Sequence, residues 1–251
     1  MARHTDAVTT TAPREAHPQW LSEAVLRPSV GNVFETTVEQ LATAIRLGVL
    51  VDGDQLPPER DLAERLGVSR NTLREAIAAL RESGLVQTRR GRAGGTIVTY
   101  SGQAPREIDA TVRHGAALED ALDFRRVVEP GAARLAATRT LSSDQRAWLR
   151  ESVAAVHTAA PRAHRIADSR LHLAIATLTG SPMVVEAVTR AQSALSELLG
   201  AIPVLRRNIE HSHDQHEAIV GAILDQRPEV ARAAMEEHCD ATAALLRGLL
   251  G

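Results

Sequence analysis

Apolar residues recur at helical spacing in the first third of the chain, and two short alternating segments follow them. Three short helices are predicted, over residues 32–48, 58–67 and 69–84. Ser69 can cap the third helix by accepting a hydrogen bond from the amide near Thr72. Residues 85–88 and 96–100 alternate like the strands of a hairpin, with glycines between them that permit a tight turn. This order of elements predicts a winged helix-turn-helix.

Strand signals vanish beyond residues 101–115, a segment whose glycines, proline and charges are typical of a linker. Six amphipathic helices are predicted after it, over residues 118–138, 142–159, 164–179, 182–199, 208–226 and 228–249. Helices of this length pack into a bundle that has room for a cavity. The predicted fold class is therefore mainly α, with an N-terminal winged helix-turn-helix and a C-terminal all-α bundle of six to seven helices.

A length of 251 residues suits two domains rather than one. The predicted organisation has four parts: a disordered tail (1–28), a winged domain (29–100), a linker (101–115) and a helical effector-binding and dimerisation domain (116–251). The tail lacks the apolar core of a signal peptide, and no apolar run reaches membrane-span length. Cys239 is the single cysteine, which excludes an intramolecular disulfide and fits a reducing cytoplasm.

Positive charge is concentrated in the predicted winged domain. The whole chain is nearly balanced, with a formal net charge of -2. Between Arg65 and Arg92, however, seven arginines stand against two acids. In a helix-turn-helix the second helix enters the major groove, and its first turn reaches base edges and phosphates. The arginine excess therefore predicts binding to double-stranded DNA, with helix 69–84 as the recognition helix.

The stretch LPPERDLAERLGVSRNTLREAIAALRESGLV (56–86) resembles the winged domain of the GntR family of bacterial repressors, and the similarity extends over residues 33–98. The helical remainder resembles the FCD-type ligand-binding domain of the FadR-like branch of that family. Three segments carry this second resemblance: RRVVEPGAARLAA (125–137), DSRLHLAIATLTGSP (168–182) and HEAIVGAILDQRPEVARAAMEEH (216–238). The chain departs from the common pattern at Leu171, usually aromatic, and at Ser181, usually asparagine, which leaves the identity of the ligand open.

The resemblance implies that Arg60, Arg70 and Arg74 contact DNA. Their positions agree: Arg70 and Arg74 are four residues apart and share a helix face, and Arg60 lies near the amino end of the preceding helix. Asn71 and Thr72, on the same first turn, are further contact candidates. The alternative is that these arginines are surface residues paired with neighbouring acids, such as Glu64, Glu75 and Glu82.

Two residues of the wing are also candidates for DNA contact. Gly94, at the predicted hairpin tip, would permit close approach to the minor groove, and Arg92 could enter that groove. A hairpin that needs glycine simply in order to turn accounts for Gly94 equally well.

Four residues of the predicted bundle could converge on one metal ion: Asp168, His172, His216 and His238. Asp168 and His172 are four residues apart, so both side chains project from one helix face. The two later histidines follow the apolar faces of two helices that Pro228 separates, and both therefore point inward. A single histidine on an apolar face is more often a core residue than a ligand, but here four candidates converge.

Three imidazoles and one carboxylate suit a divalent Zn, Ni or Mn ion and leave coordination positions open. The resemblance agrees, since many FadR-like domains hold a metal through an Asp, a His four residues later and two further histidines. His211 and His213 compete with His216 and are interpreted as solvated or outer residues. No comparable group of candidate ligands accompanies the remaining histidines: His4, His17, His114, His157 and His164.

Arg125 is the candidate effector-binding residue, because family members place an arginine facing the ligand cavity on this helix. A guanidinium near a metal would hold the second end of an organic acid. The alternative is a structural ion pair between Arg125 and a nearby acid: Glu129, Asp120 or Asp123.

Together these features predict a ligand-responsive transcription regulator, a repressor that binds a palindromic operator as a homodimer and a small carboxylate effector in each bundle. One alternative is a metalloenzyme fused to a DNA-binding domain, since the predicted site could activate water. It lacks an evident general base beside the ligands and any nucleophile motif, so no enzymatic activity is predicted. A constitutive architectural DNA-binding protein would leave the polar cluster of the bundle unexplained.

Overall fold

A computed structural model describes residues 19–27, 33–89, 95–100, 116–200, 202 and 206–250. Within these residues the chain forms ten helices and one two-stranded sheet. The winged part contains α1 (Gln19–Val25), α2 (Val33–Arg46), α3 (Glu59–Leu66), α4 (Arg70–Glu82), β1 (Val86–Arg89) and β2 (Gly95–Val98). The bundle contains α5 (Ala116–Ala137), α6 (Ser143–Thr158), α7 (Pro161–Leu178), α8 (Pro182–Gly200), α9 (Arg206–Leu224) and α10 (Pro228–Leu250). The predicted fold class is confirmed.

The winged domain is built as its sequence pattern predicts. Ser69 caps α4, because its side chain accepts a hydrogen bond from the backbone N–H of Thr72. Strands β1 and β2 pair antiparallel, with Val86 opposite Val98. The apolar faces of α2, α3 and α4 supply the buried core beneath this hairpin. The first turn of α4 remains at the surface, where it can meet a partner.

The bundle brings distant segments of the chain together. Helix α5 packs against α8 and α10, α9 packs against α10, and α7 packs against α6 and α8. The six helices begin and end within three residues of the predicted bounds, because prolines and capping residues mark their ends. One such mark is the capping box at the start of α6, formed by Ser142 and Gln145. Helices α5, α7, α9 and α10 together enclose a buried polar cluster.

The prediction of a disordered tail over residues 1–28 is wrong for residues 19–25, which form α1. This short helix packs against α2, α7 and α8, and Leu21 and Leu26 are buried beneath it. A helix of seven residues has little intrinsic stability, so tertiary packing holds it in place. The linker predicted over 101–115 and residues 1–18 of the tail lie outside the described residues.

The winged domain and the bundle share one hydrophobic core. At their contact, the Gly48 turn after α2 packs directly on α7, and a Cβ added to Gly48 would collide with Ile166 Cγ2. The same added Cβ would lie 3.0 Å from Arg170 Cδ. The electrostatic environment of Arg170 includes Asp54 in the loop between α2 and α3. This face of α7 is therefore one of the places where the winged part meets the bundle.

Candidate metal centre and nucleic-acid interface

The four residues predicted as metal ligands lie together between three helices. Asp168 and His172 project from α7, His216 from α9 and His238 from α10. One ligand atom from each lies within 4.8 Å of the others. Two donors bonded to one ion at about 2.1 Å are at most about 4.2 Å apart, so a small contraction would complete the site. The three histidines are buried, and Asp168 is partly buried.

Neighbouring polar groups orient two of the three imidazole rings. The Nδ1 atom of His238 lies 3.1 Å from Gln215 Oε1, and an amide oxygen can only accept, so Nδ1 carries the proton. The Nδ1 atom of His172 lies 2.7 Å from Glu129 Oε2, although its N–H is not aligned for a hydrogen bond. When Nδ1 carries the proton, Nε2 is unprotonated and its lone pair is free to bind a metal ion, which is the arrangement that metal-binding histidines require.

Three ring nitrogens at the centre of the cluster have no hydrogen-bond partner among the described residues: His172 Nε2, His216 Nε2 and His238 Nε2. The nearest approach is that of His216 Nε2 to Asp168 Oδ1, at 3.3 Å. Leaving a buried polar atom without a partner costs about 1–3 kcal/mol, so three such atoms in one place need an explanation. A bound cation satisfies all three lone pairs at once. The donor set therefore fits a divalent transition-metal ion.

The protonation states of the cluster also favour a cation. Burial lowers the pKa of His216 to about 3 and that of His238 well below its ordinary value, so both rings are neutral at neutral pH. Burial raises the pKa of Asp168, but attraction to the neighbouring histidines and Arg125 outweighs burial and keeps the pKa below its usual value. A neutral imidazole and an ionised carboxylate are the forms that bind metal.

Glu129 lies at the hub of the polar network around the cluster. Its carboxylate accepts hydrogen bonds from Arg125 Nε at 3.2 Å and from Gln192 Nε2 at 2.6 Å, in addition to the contact with His172. Burial by itself raises the pKa of Glu129. The nearby Arg125, and after it His172, lower the pKa by more than burial raises it, so the pKa is about 2. A carboxylate with so low a pKa is a poor general base.

From the sequence, Glu129 was expected only as an ion-pair partner of Arg125, and two other residues of the network, Gln192 and Gln215, were not predicted. Both glutamines are buried. A polar residue at a core position of an amphipathic helix, such as Gln192 between Val188 and Leu195, is the signal that could have identified them.

The surroundings of Arg125 agree with both roles that the sequence left open, an effector-binding residue and a partner in a structural ion pair. Its side chain is 2% exposed and pairs with Glu129, as the structural alternative proposed. Its Nη1 atom, however, is buried and has no hydrogen-bond partner in the described part of the chain. Asp120 and Asp123, the other partners considered, make no ion pair with it there. One side of the guanidinium is thus fixed, and the other remains available for a ligand.

The predicted DNA-contact residues lie on the surface of the winged domain. Arg60 pairs with Asp61 and Arg74 pairs with Glu59, and the arginine side chains are 74% and 64% exposed. Neither partner is among the acids expected from the sequence, Glu64, Glu75 and Glu82. Exposed pairs of this kind contribute about 0–1 kcal/mol, so phosphate can readily replace the carboxylates.

Asn71 and Thr72, in the first turn of the recognition helix α4, make hydrogen bonds within that helix or with its N-cap. Arg70 is exposed and makes no ion pair with any residue that the structure describes. Asn71 Nδ2 donates to Glu75 at 2.8 Å, and the Thr72 hydroxyl shares a hydrogen bond with Ser69. Arg92 and Gly94, the candidates at the wing tip, lie outside the described residues.

Three histidines that the sequence left without a shared role form a second cluster, which corrects that interpretation. The rings of His157 and His213 stack with centroids 4.0 Å apart, and the centroid of His164 is 5.7 Å from that of His213. They come from α6, α9 and α7, and this convergence was invisible in sequence because no regular spacing connects the three helices.

Comparison with known proteins identifies both domains. Residues 34–98 match the bacterial regulatory proteins of the gntR family, and residues 120–241 match the FCD domain. The chain is 32% identical over 209 residues to the HTH-type transcriptional regulator RmpR of Mycobacterium gastri, and the match covers 81% of this chain and 76% of that protein. The chain belongs to the GntR family.

Other GntR relatives are similar over the same region. The Uxu operon transcriptional regulator of Escherichia coli strain K12 is 30% identical over 203 residues, 75% of this chain and 76% of that regulator. The solved structure of E. coli McbR/YncC covers 88% of this chain and 100% of its own at a TM-score of 0.51. Its 19% identity supports the fold alone.

Membership of the GntR family makes this chain a DNA-binding transcriptional regulator, and the relatives and both domain matches are regulators rather than enzymes. Among the described helices, none has the length and apolar character needed to cross a membrane. The two departures from the family pattern have structural roles in this GntR protein. Leu171 is fully buried in the core and directly precedes His172, and the Ser181 hydroxyl accepts from the backbone N–H of Val184 at the start of α8.

Proposed function

We propose that this regulator is a member of the FadR-like branch that represses transcription and releases or binds its operator in response to a small organic acid held at a metal ion. The observation that carries this proposal is the convergence of Asp168 with three buried histidines whose Nε2 atoms have no hydrogen-bond partner in the part of the chain that the structure describes. The donor set suits Zn²⁺, Ni²⁺ or Mn²⁺. A bound ion would supply Lewis acidity, which polarises and holds one carboxylate oxygen of the effector.

The charges around the cluster explain why the effector would be an acid. Asp168 and Glu129 are ionised, Arg125 is protonated, and burial raises the pKa of the Cys239 thiol to about 12, so that it stays neutral. The protein groups alone therefore carry one net negative charge. A divalent ion reverses this sign, and an anion can then enter without leaving an uncompensated buried charge.

Arg125 would hold the opposite end of the acid. Its Nη1 is buried and unpaired, whereas its Nε is fixed by Glu129. A guanidinium oriented in this way has lost little of its hydrogen-bonding capacity to the protein and needs little reorganisation to accept a carboxylate. Two anchors at opposite ends select for the length of the ligand as well as its charge.

The DNA interface would be formed by the exposed first turn of α4, with Arg70, Arg74, Asn71 and Thr72, together with Arg60 of α3. Arg92 and Gly94 of the wing would extend the contact to the minor groove. We infer a homodimer on a palindromic operator, since two-fold protein symmetry matches two half-sites. Phe124 and Val127, 40% and 75% exposed and one turn apart on α5, offer an apolar surface for this association. Action on chromosomal DNA places the protein in the cytoplasm.

Helix α7 connects the proposed metal site with the winged domain. Asp168 and His172 lie on one face of this helix, and Ile166 and Arg170 lie two residues away, about 200° around the axis, against the winged domain. A change in the position of α7 on ligand binding would therefore change its contact with the turn at Gly48. The effector shifts operator affinity only by as much as it binds the two dimer arrangements differently.

Native mass spectrometry with elemental analysis of the purified protein tests the proposal. We expect a dimer with one transition-metal ion in the four-residue cluster of each chain and a co-purified acid that changes operator affinity without being consumed. A metal-free protein that binds no added Zn²⁺, Ni²⁺ or Mn²⁺ would remove the metal from the proposal. Operator affinity unaffected by the acid would remove the effector.

A further inference from the structure

Helix α1 precedes both regions of the chain that match known domain families, residues 34–98 and 120–241. It packs against α2 on one side and against α7 and α8 of the bundle on the other. Among the described helices, every extensive contact between the bundle and an element before it is made by α1, and α2, α3 and α4 make none of comparable extent. Helix α1 is therefore the main helical link between the two domains.

The apolar side of α1 is part of the core that the two domains share. Leu21 and Leu26 are buried in that core, and Ala24 and Val25 are partly buried against it. Leu21, Ala24 and Val25 are three and four residues apart, so they share one helix face, whereas Glu23 is exposed. A helix of seven residues is not stable alone in water, so these contacts determine whether α1 forms.

Hydrogen bonds attach α1 to the winged domain. Gln40 Nε2 of α2 donates to the backbone carbonyl of Arg27 at 2.9 Å, directly after α1. Arg65 Nη1 of α3 donates to the Ser22 hydroxyl at 3.4 Å. Helix α1 is thus held by two helices of the winged domain, while its packing against α7 and α8 adds two helices of the bundle.

We propose that α1 is a clamp that fixes the position of the winged domain on the bundle and transmits a movement of α7 to α2. Helix α7 carries the candidate ligands Asp168 and His172 and also contacts the turn at Gly48. The winged domain therefore meets α7 at two places, and two contacts fix an orientation that a single contact would leave free to pivot. The first turn of α4 stays exposed, so the clamp leaves the DNA-binding surface open.

The test of the clamp uses calorimetric unfolding of the full-length protein. The wild type should unfold in one transition, because α1 couples the two domains. The double variant Leu21→Asp with Leu26→Asp places two charges at buried positions, so α1 should detach and the winged domain should unfold in a separate transition at lower temperature. Amide hydrogen exchange in α2 and α4 should then become at least about 10-fold faster, and that in α9 and α10 should stay unchanged.

Two further variants make this result decisive. Glu23→Ala changes the exposed side of the same helix and should keep the single transition. Leu21→Ala introduces no charge and gives the same comparison if the double variant does not fold. One transition at a lower temperature, with exchange faster by the same factor in both domains, would show that α1 only adds to the core and would overturn the clamp. Two transitions in the wild type would overturn it as well.

Transmission through the clamp rests on the proposed function, and its test uses Zn²⁺ as the only added ligand after treatment with chelator. In the wild type Zn²⁺ should slow amide exchange in α7 and in α2. In Leu21→Ala the effect should persist in α7 and be lost in α2, and an unchanged effect in α2 would exclude α1 from transmission. If Zn²⁺ changes no exchange rate in the wild type, the proposed metal centre is overturned together with transmission, and calorimetry still decides whether α1 is a clamp.

Discussion

At the residue scale, the site depends on one buried ion pair. Arg125 and Glu129 are both almost fully buried, and a buried pair stabilises a protein only when its remaining hydrogen bonds are satisfied. Glu129 accepts a hydrogen bond from Gln192 and lies 2.7 Å from His172 Nδ1, whereas Arg125 Nη1 has no partner among the described residues. This asymmetry is the reason for assigning Glu129 a positioning role and Arg125 a ligand-binding role.

The first residue-scale prediction concerns Arg125. Arg125→Lys keeps the buried charge beside Glu129 but removes the guanidinium fork, so the fold and the bound metal should persist while affinity for the acid falls. Arg125→Ala should instead destabilise the protein by about 3–5 kcal/mol, because it leaves Glu129 as an uncompensated buried charge. Calorimetry with the co-purified acid and thermal denaturation measure the two effects. Unaltered acid affinity in Arg125→Lys would return Arg125 to a purely structural role.

The second residue-scale prediction concerns the recognition turn. Arg70→Ala and Arg74→Ala should each weaken operator binding by about 1–3 kcal/mol if the lost contact is a bidentate one to a base. The free energy of unfolding should hardly change, because the ion pair that Arg74 forms is with the exposed Glu59. Binding is measured at fixed salt with Arg150→Ala, an exposed arginine of the bundle, as the control. Wild-type affinity in both variants would exclude these residues from the interface.

At the scale of elements, local signals predicted the helices and only part of the site. Ser69 and Pro228 mark helix starts by capping and by fixed backbone angle, so the bounds of α4 and α10 follow from the sequence. The four-residue spacing of Asp168 and His172 likewise places both on one face. Helix α1 was missed because tertiary packing holds it in place, and Gln192 and Gln215 were missed because a polar residue at a core position does not reveal which partner it meets.

The element-scale prediction tests α7 as the metal-binding helix. A cation that binds only the native state adds about 2.7 kcal/mol of stability at a concentration one hundred times its Kd. His172→Ala should lose this metal-dependent stabilisation, which is measured as the rise in Tm when metal is added. Chelator should then lower the Tm of the variant little further. His211→Ala is the matched control, since its side chain is exposed on α9. Metal content at the wild-type level in His172→Ala and His238→Ala would show that the four residues are not ligands.

At the scale of the whole molecule, the two domains meet through a contact that the sequence did not predict. The turn at Gly48 packs on Ile166 and Arg170, which occupy the face of α7 opposite the candidate ligands Asp168 and His172. Such a contact depends on the relative position of the two domains, and periodicity within either domain carries no information about it. It provides a physical route by which occupancy of the bundle can alter the winged domain.

The last prediction tests this route by comparing two glycines with similar backbone angles. Gly48 has φ 72° and Gly84 has φ 75°, so alanine at either position pays the same left-handed strain of about 1–2 kcal/mol. An added Cβ at Gly84 meets nothing within 4 Å, whereas at Gly48 it collides with Ile166. Gly48→Ala should therefore cost about 1–3 kcal/mol more than Gly84→Ala and should change the acid-dependent shift in operator affinity.

Denaturant titration and operator binding with and without the acid measure both effects in the same two variants. Gly84→Ala should retain the full shift, because Gly84 lies at the end of α4, away from α7. Equal stability losses in the two variants would mean that the domains do not pack at Gly48 in solution. A larger loss of stability in Gly48→Ala, together with an unchanged acid-dependent shift in operator affinity, would mean that the contact exists but does not transmit the effect of the acid. Helix α7 would then act on the winged domain by another path.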